Sequence, residues 1–183
     1  MRRILLLAFL CLLAVSFTGC KKARLRAQVR ELMKSTITLP KDISCVFNGK
    51  VYPMPDSLRK GTKLIIFVDS TECSKCRISR FIQYEPFFKE SLKTGRFDVL
   101  LLLSIKENET EELVSFLSLI ESPFPIYIDD KHCFMQLNPF LSSDSRFQGL
   151  LIDREGHPLL IGDPASSDKI REMFFYQINT LPL

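Results

Sequence analysis

The sequence predicts an α/β fold, a sandwich with a mostly parallel central sheet, an antiparallel edge and an N-terminal β-hairpin. Leu64–Val68 is an uninterrupted apolar run, which is typical of a central strand buried on both faces. Predicted strands and helices alternate after that run, as they do in α/β folds. Asn48-Gly49 separates two short strand-like segments, and this dipeptide favours a tight hairpin turn.

The other elements follow from hydrophobic spacing. Residues 24–34 and 74–92 are predicted helices, and Pro86 interrupts the second. A second buried strand is predicted over residues 97–103. Three further helices are predicted over residues 108–120, 131–137 and 166–179. The composition, 46% hydrophobic and 25% charged, is that of a globular chain and excludes a disordered, collagen-like or coiled-coil protein.

The N terminus has the layout of a secretory signal. Arg2 and Arg3 precede an apolar run, Ile4–Phe17, and small residues follow it. The run has 14 residues, which is short for a bilayer-spanning helix. We therefore expect an exported protein in which residues 1–19 are a signal peptide.

The end of this segment resembles the lipobox of bacterial lipoproteins. Phe17-Thr18-Gly19-Cys20 has small residues before a cysteine, and the resemblance implies cleavage before Cys20 and acylation of that residue, for example with palmitate. The expected location is the bacterial cell envelope, lipid-anchored and facing the periplasm. Lys21 and Lys22 differ from an aspartate-type retention signal, which favours the outer membrane. An ordinary signal peptide or an uncleaved anchor are the alternatives.

A basic arm follows Cys20. Lys21–Lys34 contains six basic residues and one acid, Glu31. Such an arm beside a lipid anchor suits contact with anionic head groups, although a solvated tether helix is an equal alternative. Nucleic acid is excluded as a partner because the arm lies outside the cytoplasm. We assign residues 20–42 to a lipid-anchored tether and 43–183 to the domain.

The cysteines indicate the chemistry. Cys73 and Cys76 form a CxxC motif where the buried strand leads into a predicted helix. Two cysteines at this spacing on a first helical turn lie side by side, and the helix N terminus stabilises a thiolate. Lys75 and Arg77 should lower the pKa of the Cys73 thiol, whereas Glu72 should raise it.

The motif and its surroundings resemble the thioredoxin superfamily, in particular its membrane-attached TlpA- and ResA-like thiol-disulfide oxidoreductases. Ile65–Cys76 is similar to that family's strand, turn and active-site cysteines, Phe124–Asp130 to its next strand, and Gly149–Leu159 to its late hairpin. The resemblance implies that Cys73 is the nucleophile and Cys76 the resolving cysteine, that protein thiols and disulfides are the partners, and that no cofactor or metal is needed.

The chain departs from that family at several positions. Glu72 stands where a tryptophan normally precedes the first cysteine, and Ser74-Lys75 separates the two cysteines. Arg146-Phe147 occupies the place of a cis-proline that helps to bind substrate. These differences keep a second function open, a catalytically weak protein of this fold that acts as a protein-binding module.

Other possibilities involve the remaining cysteines, histidines and aromatic residues. A peroxidase lacks its expected proline, since Ile66 stands there, and a metal site has only His132 or His157 to add to the CxxC. Cys45 and Cys133 are either two buried thiols or a disulfide. Four aromatic side chains are candidates to line a groove beside the active site: Phe81, Tyr84, Phe87 and Phe88.

Overall fold

The structure is a computed structural model that describes residues 22–69, 78–106, 109–120, 122–141 and 144–181. Six of the predicted functional residues lie outside these ranges: Cys20, Glu72, Cys73, Lys75, Cys76 and Arg77. The roles assigned to them therefore stay predictions.

The described residues form strands and helices in the predicted order. The strands are β1 (Ser44–Phe47), β2 (Lys50–Pro53), β3 (Lys63–Val68), β4 (Asp98–Ser104), β5 (Ile126–Asp129), β6 (Gly149–Ile152) and β7 (Pro158–Ile161). The helices are α1 (residues 22–32), α2 (Glu85–Thr94), α3 (Thr110–Leu119), α4 (Cys133–Leu137) and α5 (Asp168–Thr180). In the part of the chain that is described, none of these helices is long and apolar enough to cross a bilayer.

All seven strands belong to one mixed sheet with the order β2-β1-β5-β4-β3-β6-β7. The three central strands, β3, β4 and β5, are parallel. An antiparallel hairpin continues the sheet on each side, β1–β2 next to β5 and β6–β7 next to β3. The predicted fold class is confirmed, and the antiparallel pairs occupy both edges of the sheet.

The N-terminal hairpin forms where its turn residues predict it. Asn48 and Gly49 have φ angles of 48° and 70°, and Phe47 pairs with Lys50 across the turn. Positive φ at both central residues is the requirement of a type I′ turn, which asparagine and glycine meet with little strain. The turn residues therefore set the register of the hairpin.

Two apolar layers lie on the two faces of the sheet. One layer contains Leu64 and Ile66 of β3 and is covered by α2, α3 and α5. The other contains Ile65 and Phe67 of β3 and is covered by α1 and α4. All six residues of β3 are buried, as expected of a strand with helices on both faces.

The first layer is rich in aromatic residues. Phe174 of α5 is fully buried and packs edge-to-face against Phe87 and Phe97, with ring centroids 5.3 Å and 5.1 Å apart. Phe81 and Tyr84 are also buried in this layer. Three of the four aromatic candidates for a groove are therefore core residues, because the chain around the start of α2 turns them onto the sheet.

Part of the predicted tether packs on the domain. Leu32 of α1 is 4% exposed, and Leu25 and Val29 pack against the second apolar layer. Beyond the helix, the Ile37 N–H donates to the Gly156 carbonyl oxygen at 2.8 Å. We call residues 36–38 the strap, because they join α1 to the late hairpin and to the loop after α4.

Asn138 fixes the other end of the strap. Its side-chain oxygen accepts from the Thr38 N–H and its side-chain nitrogen donates to the Thr38 carbonyl oxygen, both at 2.8 Å. Asn138 is fully buried and also donates to the Phe134 carbonyl oxygen at 2.7 Å. This single amide thus ties the strap to α4, and with α4 to the core.

Gly156 is expected to tolerate no side chain. Its φ is 89°, and a Cβ atom would lie 2.5 Å from the Ile37 carbonyl oxygen. Gly61 has almost the same φ, 87°, but a Cβ atom there would meet nothing within 4 Å, so Gly61→Ala isolates the backbone strain. We expect Gly61→Ala to destabilise by about 1 kcal/mol and Gly156→Ala by about 2 kcal/mol more. Equal urea midpoints for the two variants would show that the strap yields freely.

Candidate active site

The parallel strands end together at one edge of the sheet. Val68 of β3 pairs with Leu103 of β4, which is paired with Ile128 of β5. Ligands and reacting groups in sheets of this kind lie outside the carboxyl ends of the strands. Cys73 comes five residues after Val68 along the chain, so this edge is the place to which the sequence assigns the CxxC.

The chain returns to the described structure at Ile78, which is buried in the first apolar layer. A 3-10 turn, Phe81–Tyr84, follows, and α2 begins only at Glu85 with Pro86 in its first turn. The prediction of one helix over residues 74–92 is therefore wrong at its centre. A proline is tolerated in a first turn, because the N–H it lacks has no partner inside the helix there.

A buried carboxylate organises the end of β5. Asp129 is fully buried and accepts the backbone N–H groups of Cys133 and Phe134, both at 2.8 Å. These donors are the unpaired groups at the start of α4, and a carboxylate satisfies them as a helix cap does. Sequence reasoning missed Asp129, although an aspartate four residues before a helix start is a recognisable capping signal.

A histidine lies between Asp129 and α4. His132 has a φ of 54°, which is strained for a residue with a side chain, and its Nδ1 lies 2.6 Å from the Ser104 hydroxyl. Ser104 is the last residue of β4 and pairs with Asp129. The three polar side chains therefore meet at the edge to which the CxxC is assigned, and together we call them the polar corner.

The segment before β6 closes the same edge. The Phe67 N–H donates to the Gln148 carbonyl oxygen at 2.9 Å, so the chain just before β6 lies against the end of β3. A 3-10 turn, Ser145–Phe147, precedes it, and the described residues contain no cis peptide bond. Phe147 is buried. The position at which the resembled family has a cis-proline thus carries a buried aromatic ring.

An ion pair stands next to that ring. Arg146 Nε lies 2.9 Å from Asp144 Oδ1, and the Arg146 N–H donates to the same oxygen at 3.0 Å. These hydrogen bonds, to the side chain first and the backbone second, lower the pKa of Asp144 to about 2. Asp144 is therefore ionised at any physiological pH and holds the exposed guanidinium beside Phe147.

The two described cysteines are free thiols. Cys45 of β1 is buried and Cys133 at the start of α4 is half-buried. Burial raises the pKa of the Cys45 thiol, and its hydrogen bond with the Tyr127 side chain partly offsets that effect. Of the two alternatives for Cys45 and Cys133, the structure thus shows two unpaired thiols.

His157 lies away from this edge, in the turn of the late hairpin. Its backbone N–H donates to Asp153 Oδ1 at 2.8 Å, and its side chain is exposed. Across the described ranges, no group of three or more histidine, cysteine or acidic side chains is placed to hold a metal ion.

An apolar groove opens at the opposite edge of the sheet. It has a volume of about 560 Å³ and is lined by Leu58, Phe88, Val99, Phe124 and other side chains. Phe88 and Phe124 stack with ring centroids 4.4 Å apart. Of the four candidate groove aromatics, Phe88 alone lines a groove there, and this groove lies at the amino ends of the parallel strands.

Comparisons with known proteins find the same fold at low sequence identity. A candidate thiol:disulfide interchange protein DsbE from Chlorobium tepidum is 19% identical, with a TM-score of 0.51 over 79% of this chain and 98% of that chain. The exposed lipoprotein thioredoxin of Streptococcus pneumoniae strain TIGR4 is 16% identical, with a TM-score of 0.50 over 75% of this chain and 98% of its own.

A third solved structure, AhpC of Enterococcus faecalis, is 11% identical and has a TM-score of 0.50 over 78% of this chain and 91% of that chain. No family profile and no curated protein matches the sequence. Identities this low establish the architecture alone. With its mixed seven-stranded sheet, its helices on both faces and its N-terminal hairpin, the chain has a thioredoxin-like fold.

Proposed function

We propose that the chain is a membrane-tethered, extracytoplasmic thiol-disulfide oxidoreductase that uses Cys73 as nucleophile and Cys76 as resolving cysteine. One observation carries the proposal. β3 is buried on both faces and ends at the edge where β4 and β5 end, and the CxxC follows that end within eight residues of Val68. A rigid central strand is the support that a reactive loop needs at such an edge.

The proposed exchange has two steps. The Cys73 thiolate attacks one sulfur of a partner disulfide, an S–S bond forms between chain and partner, and the released partner sulfur takes up a proton. The Cys76 thiolate then attacks Cys73, the mixed disulfide breaks, and the second partner sulfur is protonated. The partner gains two electrons and two protons, and Cys73 and Cys76 end as a disulfide. The reverse sequence oxidises the partner.

The tethering is part of the same proposal. We infer that cleavage before Cys20 and acylation of that residue hold the protein at the periplasmic side of a bacterial envelope membrane. The apolar run Ile4–Phe17 and the residues before Cys20 support this. Several acyl chains bind a membrane firmly, whereas a single chain binds only marginally.

A second function is favoured by the segment before β6. Phe147 and the Asp144–Arg146 ion pair stand where the resembled family carries its substrate-binding cis-proline. A chain without that proline is a candidate for a protein-binding module with weak exchange. The difference between the two functions is whether a covalent partner complex forms.

Trapping separates them. Cys76→Ser in the full chain removes the resolving thiol, so mixed disulfides through Cys73 should accumulate as reducible high-mass bands on a non-reducing gel. The matched controls are Cys73→Ser/Cys76→Ser, which should give no bands, and Cys76→Ser/Cys133→Ser, which should keep them. An empty lane for Cys76→Ser would overturn the proposal in favour of the binding module.

A redox titration measures the direction of exchange. The reduction potential of the Cys73–Cys76 pair is read by alkylation and mass spectrometry on residues 21–183, so that α1 and the strap are retained. A midpoint between about −120 and −270 mV is expected of an exchange protein. A midpoint below about −300 mV would identify an inert structural disulfide.

A further inference from the structure

Helix α1 has two contrasting faces. Leu25, Val29 and Leu32, at spacings of four and three residues, pack on the domain. The strap then fixes the end of the helix through the Ile37–Gly156 and Thr38–Asn138 hydrogen bonds. Because both the face and the end are held, the orientation of α1 relative to the sheet is set.

The remaining surface of α1 carries a row of cations. Lys22, Arg26, Arg30 and Lys34 follow one another at intervals of four residues, and all four are exposed. Residues four apart on a helix are neighbours, so these side chains form one continuous stripe. We call these four residues the cationic stripe.

The stripe contains no acid to balance it. With a helix turning by about 100° per residue, Glu31 falls on the opposite flank of α1, together with Arg24. Like charges at intervals of four residues destabilise a helix in water. A stripe of this kind is therefore unfavourable for the isolated protein and becomes favourable when an anionic surface neutralises it.

We infer that the cationic stripe is a docking surface for an anionic lipid bilayer and that it sets the orientation of the domain on the membrane. Ala23 and Ala27 lie exposed on the outward crest of α1 beside the stripe. Their small side chains let a flat surface approach the helix closely, while the long lysine and arginine side chains reach the head groups. The helix then lies parallel to the membrane plane, with the domain on the side away from the lipid.

The position of the stripe favours a bilayer over another polyanion. Lys22 is two residues from Cys20, so a chain anchored there presents the stripe to the head groups with no intervening spacer. Cations within a Debye length of an anionic membrane are attracted to it, and one acyl chain with a basic patch suffices for stable attachment. The inference rests on the proposed envelope location, but it requires neither acylation nor thiol exchange.

Vesicle binding by the unlipidated protein tests the inference. Residues 21–183 retain every described element and are sedimented with vesicles of phosphatidylcholine alone or with added phosphatidylglycerol. The variant Lys22→Gln/Arg26→Gln/Arg30→Gln removes three charges from the stripe, and glutamine keeps the helix propensity. The matched control, Lys50→Gln/Lys60→Gln/Lys169→Gln, removes three exposed charges elsewhere.

We expect the wild type and the control to bind vesicles that contain phosphatidylglycerol and not those of phosphatidylcholine alone. The stripe variant should bind roughly 100-fold more weakly, and added salt should weaken the wild type. Its thermal stability in solution should stay equal or rise, since repulsion within α1 is relieved. A structural role for these residues would lower that stability instead.

Three outcomes would overturn the inference. They are equal binding of the stripe variant and the wild type, an equal loss in the control variant, and binding of the wild type to soluble heparin with none to anionic vesicles. Labelling with radioactive palmitate in cells, compared between the full chain and Cys20→Ala, tests the anchor separately. A protein without acylation but with stripe-dependent vesicle binding would contradict the proposed tether and leave this inference standing.

Discussion

Replacing Leu25 and Leu32 by alanine is expected to lower the free energy of unfolding by about 3–5 kcal/mol. Leu32 is 4% exposed and Leu25 packs against the second apolar layer. Truncation of a fully buried leucine leaves a cavity as well as losing transfer free energy, and the half-buried leucine adds a smaller loss. Alanine keeps the helix propensity, so the effect reports the packing of α1 on the sheet.

Urea unfolding of residues 21–183 measures this loss. The matched control is Leu92→Ala/Leu119→Ala, which removes the same atoms from two helical leucines that are 87% and 83% exposed. We expect the control to change stability by less than about 1 kcal/mol. If α1 were a solvated tether, both double variants would unfold at the wild-type urea concentration.

This result determines which fragment is used to study exchange. A chain that begins at residue 35 lacks α1 entirely and uncovers the second apolar layer, to which Phe67 and Leu102 belong. Phe67 is next to Val68, where β3 ends. A potential measured on that shorter chain would report a loosened support for the CxxC.

Asp129→Ala is expected to destabilise the protein by about 3 kcal/mol. The carboxylate is fully buried and accepts two N–H groups, of which that of Phe134 belongs to a buried residue. Hydrogen bonds to a charged acceptor contribute about 1.5–3 kcal/mol each, and donors left buried without a partner add a desolvation penalty. Alanine removes both bonds and shortens the side chain.

Asp129→Asn is the matched control, because its single amide oxygen can accept one of the two N–H groups in the same volume. We expect it to lose about half as much stability as Asp129→Ala. Alkylation of Cys133, which begins α4, should quicken in the order wild type, Asp129→Asn, Asp129→Ala. Unchanged alkylation together with an unchanged urea midpoint would show that water replaces the carboxylate at no loss.

The sequence predicts most of the fold because its signals are local. Asn48-Gly49 specifies a hairpin by turn chemistry, and Leu64–Val68 specifies a buried strand by an unbroken apolar run. Element boundaries agree within a few residues except around Pro86. Hydrophobic spacing predicts a helix that this proline interrupts, whereas the proline stands in the first turn of α2. Its backbone role depends on where the preceding 3-10 turn ends, which hydrophobic spacing does not encode.

The packing of α1 and the polar corner could not be predicted because their partners are distant in sequence. Leu25, Val29 and Leu32 have the spacing of an amphipathic helix, but six nearby basic residues favour a membrane tether. Ser104 and His132 are 28 residues apart and meet because β4 and β5 pair in register. The CxxC, by contrast, is a motif of adjacent residues, and recognising it needs no tertiary information.

The strap also governs the order in which the protein can fold. The Thr38–Asn138 hydrogen bonds join residues 100 apart, and the partner of Ile37 is Gly156. A chain that emerges from its N terminus therefore holds α1 undocked until residue 156 has appeared, and closing so long a loop is slow. The helix made first is among the last to dock, which leaves Cys20 accessible to processing enzymes throughout that interval and leaves Leu25 and Leu32 dependent on a holding chaperone.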